Sequence, residues 1–102
     1  MDTNDLIAEA KAKFSHNSTK AYLRDKYNSK LIIAEQGGLW KITPEFISFL
    51  ASVYIPNDVV IMDLYESPVK VDRTKFLNKA VNTYTSVMNE YHKEWEKLKK
   101  NR

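Results

Sequence analysis

Residues 73–100 read RTKFLNKAVNTYTSVMNEYHKEWEKLKK, and this stretch decides the fold. Leu77, Val81, Tyr84, Met88, Tyr91, Trp95 and Leu98 recur at alternating spacings of four and three. That is an a/d heptad pattern held for about three heptads, and it predicts one long C-terminal helix. In its first half Phe76, Ala80 and Val87 widen the apolar stripe, as on a helix lying across a domain core. In its second half His92, Lys93, Glu94, Glu96, Lys97 and Lys99 flank a seam narrowed to Tyr91, Trp95 and Leu98.

A helix of about 28 residues spans roughly 42 Å. A compact domain of this chain length is roughly 33 Å across. The last turns, with Trp95 and Leu98, are therefore expected to project from the domain. A Trp and a Tyr each bury about 150–250 Å² when packed, so a second chain is expected there. Three readings fit the narrowing seam: the helix lies along its own domain, it self-associates as a coiled-coil homodimer, or it binds a different protein. The partner-binding residues would be Met88, Tyr91, Glu94, Trp95, Leu98 and Lys99. In a parallel pair Glu94 (position g) would face Lys99 (position e) of the other helix.

Working towards the N-terminus, Asp72 is the expected cap of the long helix, with Val71 and Phe76 as a hydrophobic staple. Val59–Tyr65 is β-branched and reads as a strand. Glu66-Ser67-Pro68 turns the chain into a short returning strand, Val69–Val71. Thr43-Pro44-Glu45 is a helix start: a cap, a proline at the first position and an acid in the first turn. That helix is expected over 44–54, stopped by Ile55-Pro56. Gly37-Gly38 separates Lys30–Gln36 from Leu39–Thr43 and predicts a hairpin with its turn at 37–38. That turn pairs Ile33 with Ile42 and Glu35 with Trp40, placing Leu31, Ile33, Trp40 and Ile42 on one face. Two short helices, about Asn4–Phe14 and Thr19–Tyr27, precede it.

The order is α(α)ββαββα. The expectation is a single α+β domain over 1–102, with one antiparallel sheet of about four strands (30–36, 38–43, 59–65, 69–71). Helix 44–54 and the first half of the long helix would cover one face. The expected core is Leu31, Ile33, Trp40, Ile42, Ile47, Leu50, Ile61 or Met62, Leu64, Leu77, Val81 and Tyr84.

The 102 residues are one domain's worth of chain, 43% hydrophobic and 28% charged, which argues against a disordered tail, a collagen-like fibre and a second large domain. The net charge of +3 sits on residues 92–102 alone, since residues 1–91 balance eleven bases with eleven acids. The basic character therefore belongs to a tail. There are no cysteines, so disulfides and thiolate chemistry are excluded. The start, Met1-Asp2-Thr3-Asn4-Asp5, is unlike a secretory signal, and no window approaches the ~18 apolar residues of a membrane span. A cytoplasmic setting is the expectation.

No catalytic residue, cofactor site or metal site is expected. His16 lies in a polar break and His92 on a charged helix face, both read as solvated. Asp58, Asp63, Glu66 and Asp72 lack the spacing of a calcium loop, and turn and cap duty accounts for Asp58 and Asp72. Gly37-Gly38 carries no phosphate-loop lysine, and there is no serine elbow. The protein is read as a non-enzyme. An alternative is weak, salt-sensitive nucleic-acid binding by Lys93, Lys97, Lys99, Lys100 and Arg102 beside Tyr91 and Trp95.

The Gly37-Gly38 hairpin, Trp40-Lys41-Ile42-Thr43-Pro44-Glu45-Phe46-Ile47, Asp63-Leu64-Tyr65-Glu66-Ser67-Pro68-Val69-Lys70-Val71 and the Glu94-Trp95-Glu96-Lys97-Leu98 helix end, in this order, cover most of the chain. The combination resembles small accessory proteins of large contractile-tailed (myovirus-type) bacteriophages. The resemblance implies a host-cytoplasm setting and an accessory or assembly role, and it carries over no catalytic residues.

Overall fold

The computed structural model describes residues 18–100. Helix α1 covers 18–30 within that range. It is followed by β1 (Ile32–Glu35), β2 (Gly38–Lys41), α2 (Pro44–Leu50), β3 (Asp58–Met62), β4 (Pro68–Asp72) and α3 (Arg73–Lys100). The α+β class and the long C-terminal helix are as expected. The helix expected over Asn4–Phe14 lies outside the described residues.

The first hairpin has the expected face but a different register. Ile33 pairs with Trp40 and Glu35 with Gly38, so the turn sits at Gln36-Gly37. Both turn residues have positive φ, 46° and 83°, the backbone of a primed two-residue turn. Trp40 decides between the two turns. Its indole lies over Gly38, where an added Cβ would come within 2.6 Å of the ring. Gly38 is thus needed in the strand, and Gln36 takes the left-handed position. Moving the turn by one residue preserves side-chain parity, so Leu31, Trp40 and Ile42 are still buried together. The indole N–H donates to the Glu35 carbonyl at 2.8 Å, which satisfies its one buried donor.

The expected four-stranded sheet is corrected: the described strands form two two-stranded sheets, β1-β2 and β3-β4. Side chains do much of the joining. The Leu64 N–H donates to the Leu39 carbonyl at 2.9 Å, and the Asp63 carboxylate accepts from the Leu39 N–H at 3.1 Å. The Gln36 amide spans to β4, donating to the Asp72 carbonyl at 3.1 Å and accepting the Asp72 N–H at 2.6 Å. Asp63 also ends β3 earlier than the expected Tyr65. It accepts from the Tyr65 and Ser67 N–H groups and so closes the turn before β4. These backbone donors, Ser67 first and then Leu39, hold its carboxyl below the ordinary value.

Thr43 caps α2 as expected, accepting the Phe46 N–H at 3.1 Å, with Pro44 and Glu45 in the first turn. The helix stops at Leu50, short of the expected 54. Ser52 ends it by turning the chain: its hydroxyl accepts the Tyr54 N–H and its carbonyl the Ile55 N–H. Two residues share the α3 cap. Asp72 accepts the Lys75 N–H and Asn57 the Thr74 N–H.

The core gathers Leu23, Tyr27, Leu31, Trp40, Ile42, Leu50, Val71, Phe76, Ala80 and Val87. At its centre Trp40, Phe46 and Phe76 meet with ring centroids 5.2–5.8 Å apart. Phe76 stands edge-on to both others, the arrangement that ring quadrupoles favour. Ile33, Ile47, Ile61, Leu77 and Tyr84 pack around this centre. Of the alternatives Ile61 and Met62, Ile61 is the inward one and Met62 is exposed; Leu64 and Val81, expected inside, are exposed. Met62 lies on the outer side of β3, and Leu64 falls in the turn beyond it. Val81 lies one position past the buried Ala80 on α3.

The molecule is long, with extents of 66 × 25 × 20 Å and a radius of gyration of 19.5 Å. A compact chain of this length would have a radius near 13 Å.

Candidate interaction surface on the C-terminal helix

The chain uses one side of α3 for itself. Phe76, Ala80 and Val87 are buried, and Tyr91 and Leu98 pack against the same cluster. The first part of this stripe meets the hairpins and α2. The second part meets α1, which the sequence reading had not brought there. Tyr27 of α1 is 2% exposed and stacks on Tyr91, with centroids 4.9 Å apart and planes 10° from parallel.

Charges fix the register of this helix pair. The Lys26 ammonium donates to the Glu94 carboxylate at 2.7 Å, and the Tyr27 phenol donates to the same oxygen. Lys30 reaches Glu90 at 3.0 Å. Lys26 opposite Glu94 and Lys30 opposite Glu90 mean that one helix runs up as the other runs down. Lys20 stands 5.3 Å from the centroid of the Trp95 ring, in cation–π range. The Lys26 ammonium, and next the Tyr27 phenol, hold the Glu94 carboxyl below its ordinary value. The bond to Glu94 raises both Lys26 and Tyr27 above theirs.

The seam read from the sequence is therefore divided. Tyr91, Glu94 and Leu98 serve the contact within the chain or the core cluster beside it. Glu94, expected to face Lys99 of a parallel copy, holds Lys26 and Tyr27 of its own chain. Met88 and Trp95 lie about a quarter-turn of the helix away from that side. Together with Tyr91 and His92 they line a shallow groove open to solvent. Val81 continues this line towards the head of the molecule at 40% exposure, and Met88 is 36% exposed. Val81, Met88 and Trp95 are seven residues apart in turn, so they form one straight stripe. Trp95 is half-buried, and Lys99 is exposed on the same side of the last turn. Val81 is the member that sequence reasoning missed, having been assigned to the core. The pairing of α1 with α3 had a legible signal in the matched spacings of Lys26 and Lys30 with Glu90 and Glu94.

Lys93, Lys97, Lys99 and Lys100 are exposed. Arg102 lies outside the described residues. Of the two aromatics that could stack on a base beside these lysines, Tyr91 has a face covered by Tyr27. Among the described residues no group of three or more His, Asp or Glu is placed to hold a metal ion. None of the described helices is long and apolar enough to cross a membrane.

Compared with known proteins, the chain matches no family model, no curated protein and no solved structure.

Proposed function

We propose that this protein is a non-enzymatic protein–protein interaction module that docks through the open stripe of α3: Val81, Met88 and Trp95. One observation carries the reading. The helix has a stripe already packed by its own chain, and beside it, at heptad spacing, Val81 and Met88 are exposed while Trp95 is half-buried with Lys20 over its ring. An accessory or assembly role, of the kind the phage resemblance implies, suits such a surface.

Nucleic-acid binding through Lys93, Lys97, Lys99 and Lys100 is the second reading. It has less support, because Tyr91 is stacked on Tyr27 and Glu94 and Glu96 interrupt the basic side.

The test is photo-crosslinking in cells that make the protein. A photoreactive amino acid replaces Met88 in one chain and Lys97 in another. Lys97 is exposed and on the opposite side of α3. A discrete adduct from position 88 and none from 97 is the expected result. Absence of any adduct from position 88 would overturn the docking reading.

A further inference from the structure

The β3–β4 hairpin closes one of its two outer edges and leaves the other open. Its hydrogen bonds show which groups face outward. The Asp63 N–H donates to the Ser67 carbonyl at 3.0 Å, and the Arg73 N–H to the Asn57 carbonyl at 2.7 Å. With Val59 opposite Val71 and Ile61 opposite Val69, these bonds make the odd-numbered residues the ones that bond across the hairpin. The backbone groups of Asp58, Val60 and Met62 therefore point away from β4, and those of Pro68, Lys70 and Asp72 away from β3.

The β4 edge is closed. Pro68 has no N–H, Lys70 places a charge in mid-strand, and the Gln36 amide takes both backbone groups of Asp72. The β3 edge has none of these devices between Asp58 and Met62. Among the described residues, no hydrogen bond engages the backbone N–H or C=O of Val60 or Met62. Their side chains, on the outer face, are 60% and 58% exposed. β2 reaches this side of the hairpin just past the end of β3, where the Leu64 N–H donates to the Leu39 carbonyl. Beside that junction opens a pocket of about 180 Å³, lined by Trp40, Lys41, Phe46, Met62, Asp63 and Leu64. A cavity of about 150 Å³ is enough for a benzene ring.

We propose that the β3 edge takes up an extended segment of another protein as an added antiparallel strand, with one aromatic side chain of that segment seated in the pocket. A row of free N–H and C=O groups at every second residue is complementary to an extended main chain; a helix has its own groups already paired. Cross-strand pairing then sets the side chains of the segment. Residues opposite Met62 and Val60 share their outer face and are apolar. The residue opposite Asp58, which makes no ion pair among the described residues, is basic. The residue opposite Asp63 lies on the inner face, towards Trp40 and Phe46, and is the aromatic one. This edge is separate from the stripe on α3, and neither surface depends on the other.

The probe is a synthetic peptide of that pattern, acetyl-Phe-Val-Thr-Val-Thr-Lys-amide, titrated into the isotope-labelled chain and followed by NMR. Saturable shifts of the Val60 and Met62 amides are expected. N-methylation of the second valine, whose N–H would meet the Val60 carbonyl, is expected to abolish them. N-methylation of the threonine before it, whose N–H would face away, is expected to leave them. Val60→Pro removes an outward donor and spares the β3–β4 ladder. It is expected to abolish the shifts while the Val59 and Ile61 amides keep their exchange protection. Should that variant misfold, the two methylated peptides still decide on the unaltered chain. No shift of Val60 and Met62 in millimolar peptide, shifts centred on β1, or equal effects of the two methyl groups would overturn the proposal. Val60 and Met62 signals that change with protein concentration alone would mean pairing with a second copy, and would overturn it too.

Discussion

The ring of Tyr27 lies flat on that of Tyr91, 4.9 Å away, while its phenol hydrogen-bonds the Glu94 carboxylate. One side chain thus ties α1 to the far half of α3 twice, once by stacking and once by a charge-assisted hydrogen bond. With this side of α3 satisfied by the chain itself, the apolar residues left in water become a defined stripe. Tyr27→Ala is expected to release α1 while the hairpins stay folded. Hydrogen exchange would show it, with amides of 20–30 losing protection well before those of β3 and β4. Tyr27→Phe keeps the stack and is expected to keep most of that protection.

Acid should loosen the same helix pair. The folded-state value of Glu94 is depressed below 4.5, chiefly by Lys26 and then by Tyr27. Its stabilisation is therefore present above pH 4.5 and lost as pH falls through the lowered value. Lys26 and Tyr27 are raised above 10.5 and 10.0, so their contributions hold below those values and fade as pH climbs through the raised ones. Asp63 and Asp72 also lose stabilisation in acid. Glu94→Gln separates the effects: it should flatten the acid dependence of exchange in α1 and leave that of the β3–β4 hairpin unchanged.

The first hairpin predicts a contrast between adjacent glycines. Gly37 has φ +83° and open space around it, so Gly37→Asn should cost at most about 1 kcal/mol, since Asn tolerates the left-handed region. At Gly38 any side chain meets the Trp40 indole. Gly38→Ala should cost roughly 1–3 kcal/mol, the usual range for overpacking. Denaturant melts of the two variants give the comparison.

Phe76 is fully buried and contacts both Trp40 and Phe46. Phe76→Ala should cost about 3–5 kcal/mol. For a domain of this size that approaches the whole of its stability. Circular dichroism would show loss of cooperative melting. Val81→Ser, at an exposed position, should shift stability by about 1 kcal/mol or less.

Much of this was legible in the sequence, and the rest fails for identifiable reasons. Thr43-Pro44-Glu45 fixed the start of α2 because caps are local chemistry. The face of the first hairpin was legible from alternation, but Gly37-Gly38 permits two turns, and only the placement of Trp40 over Gly38 selects one. The single sheet was wrong because Asp63 and Gln36 join the hairpins by side chains, which leave no periodic trace. On α3, periodicity revealed a wide apolar surface. It could not say which stripe the chain would cover, since the covering helix lies more than sixty residues earlier.

The most direct test of the docking face is photo-crosslinking in cells from position 88 beside position 97. Docking on Val81, Met88 and Trp95 predicts a discrete adduct from position 88 and none from the exposed Lys97 on the opposite side of α3. No adduct from position 88, or equal adducts from both positions, would contradict it.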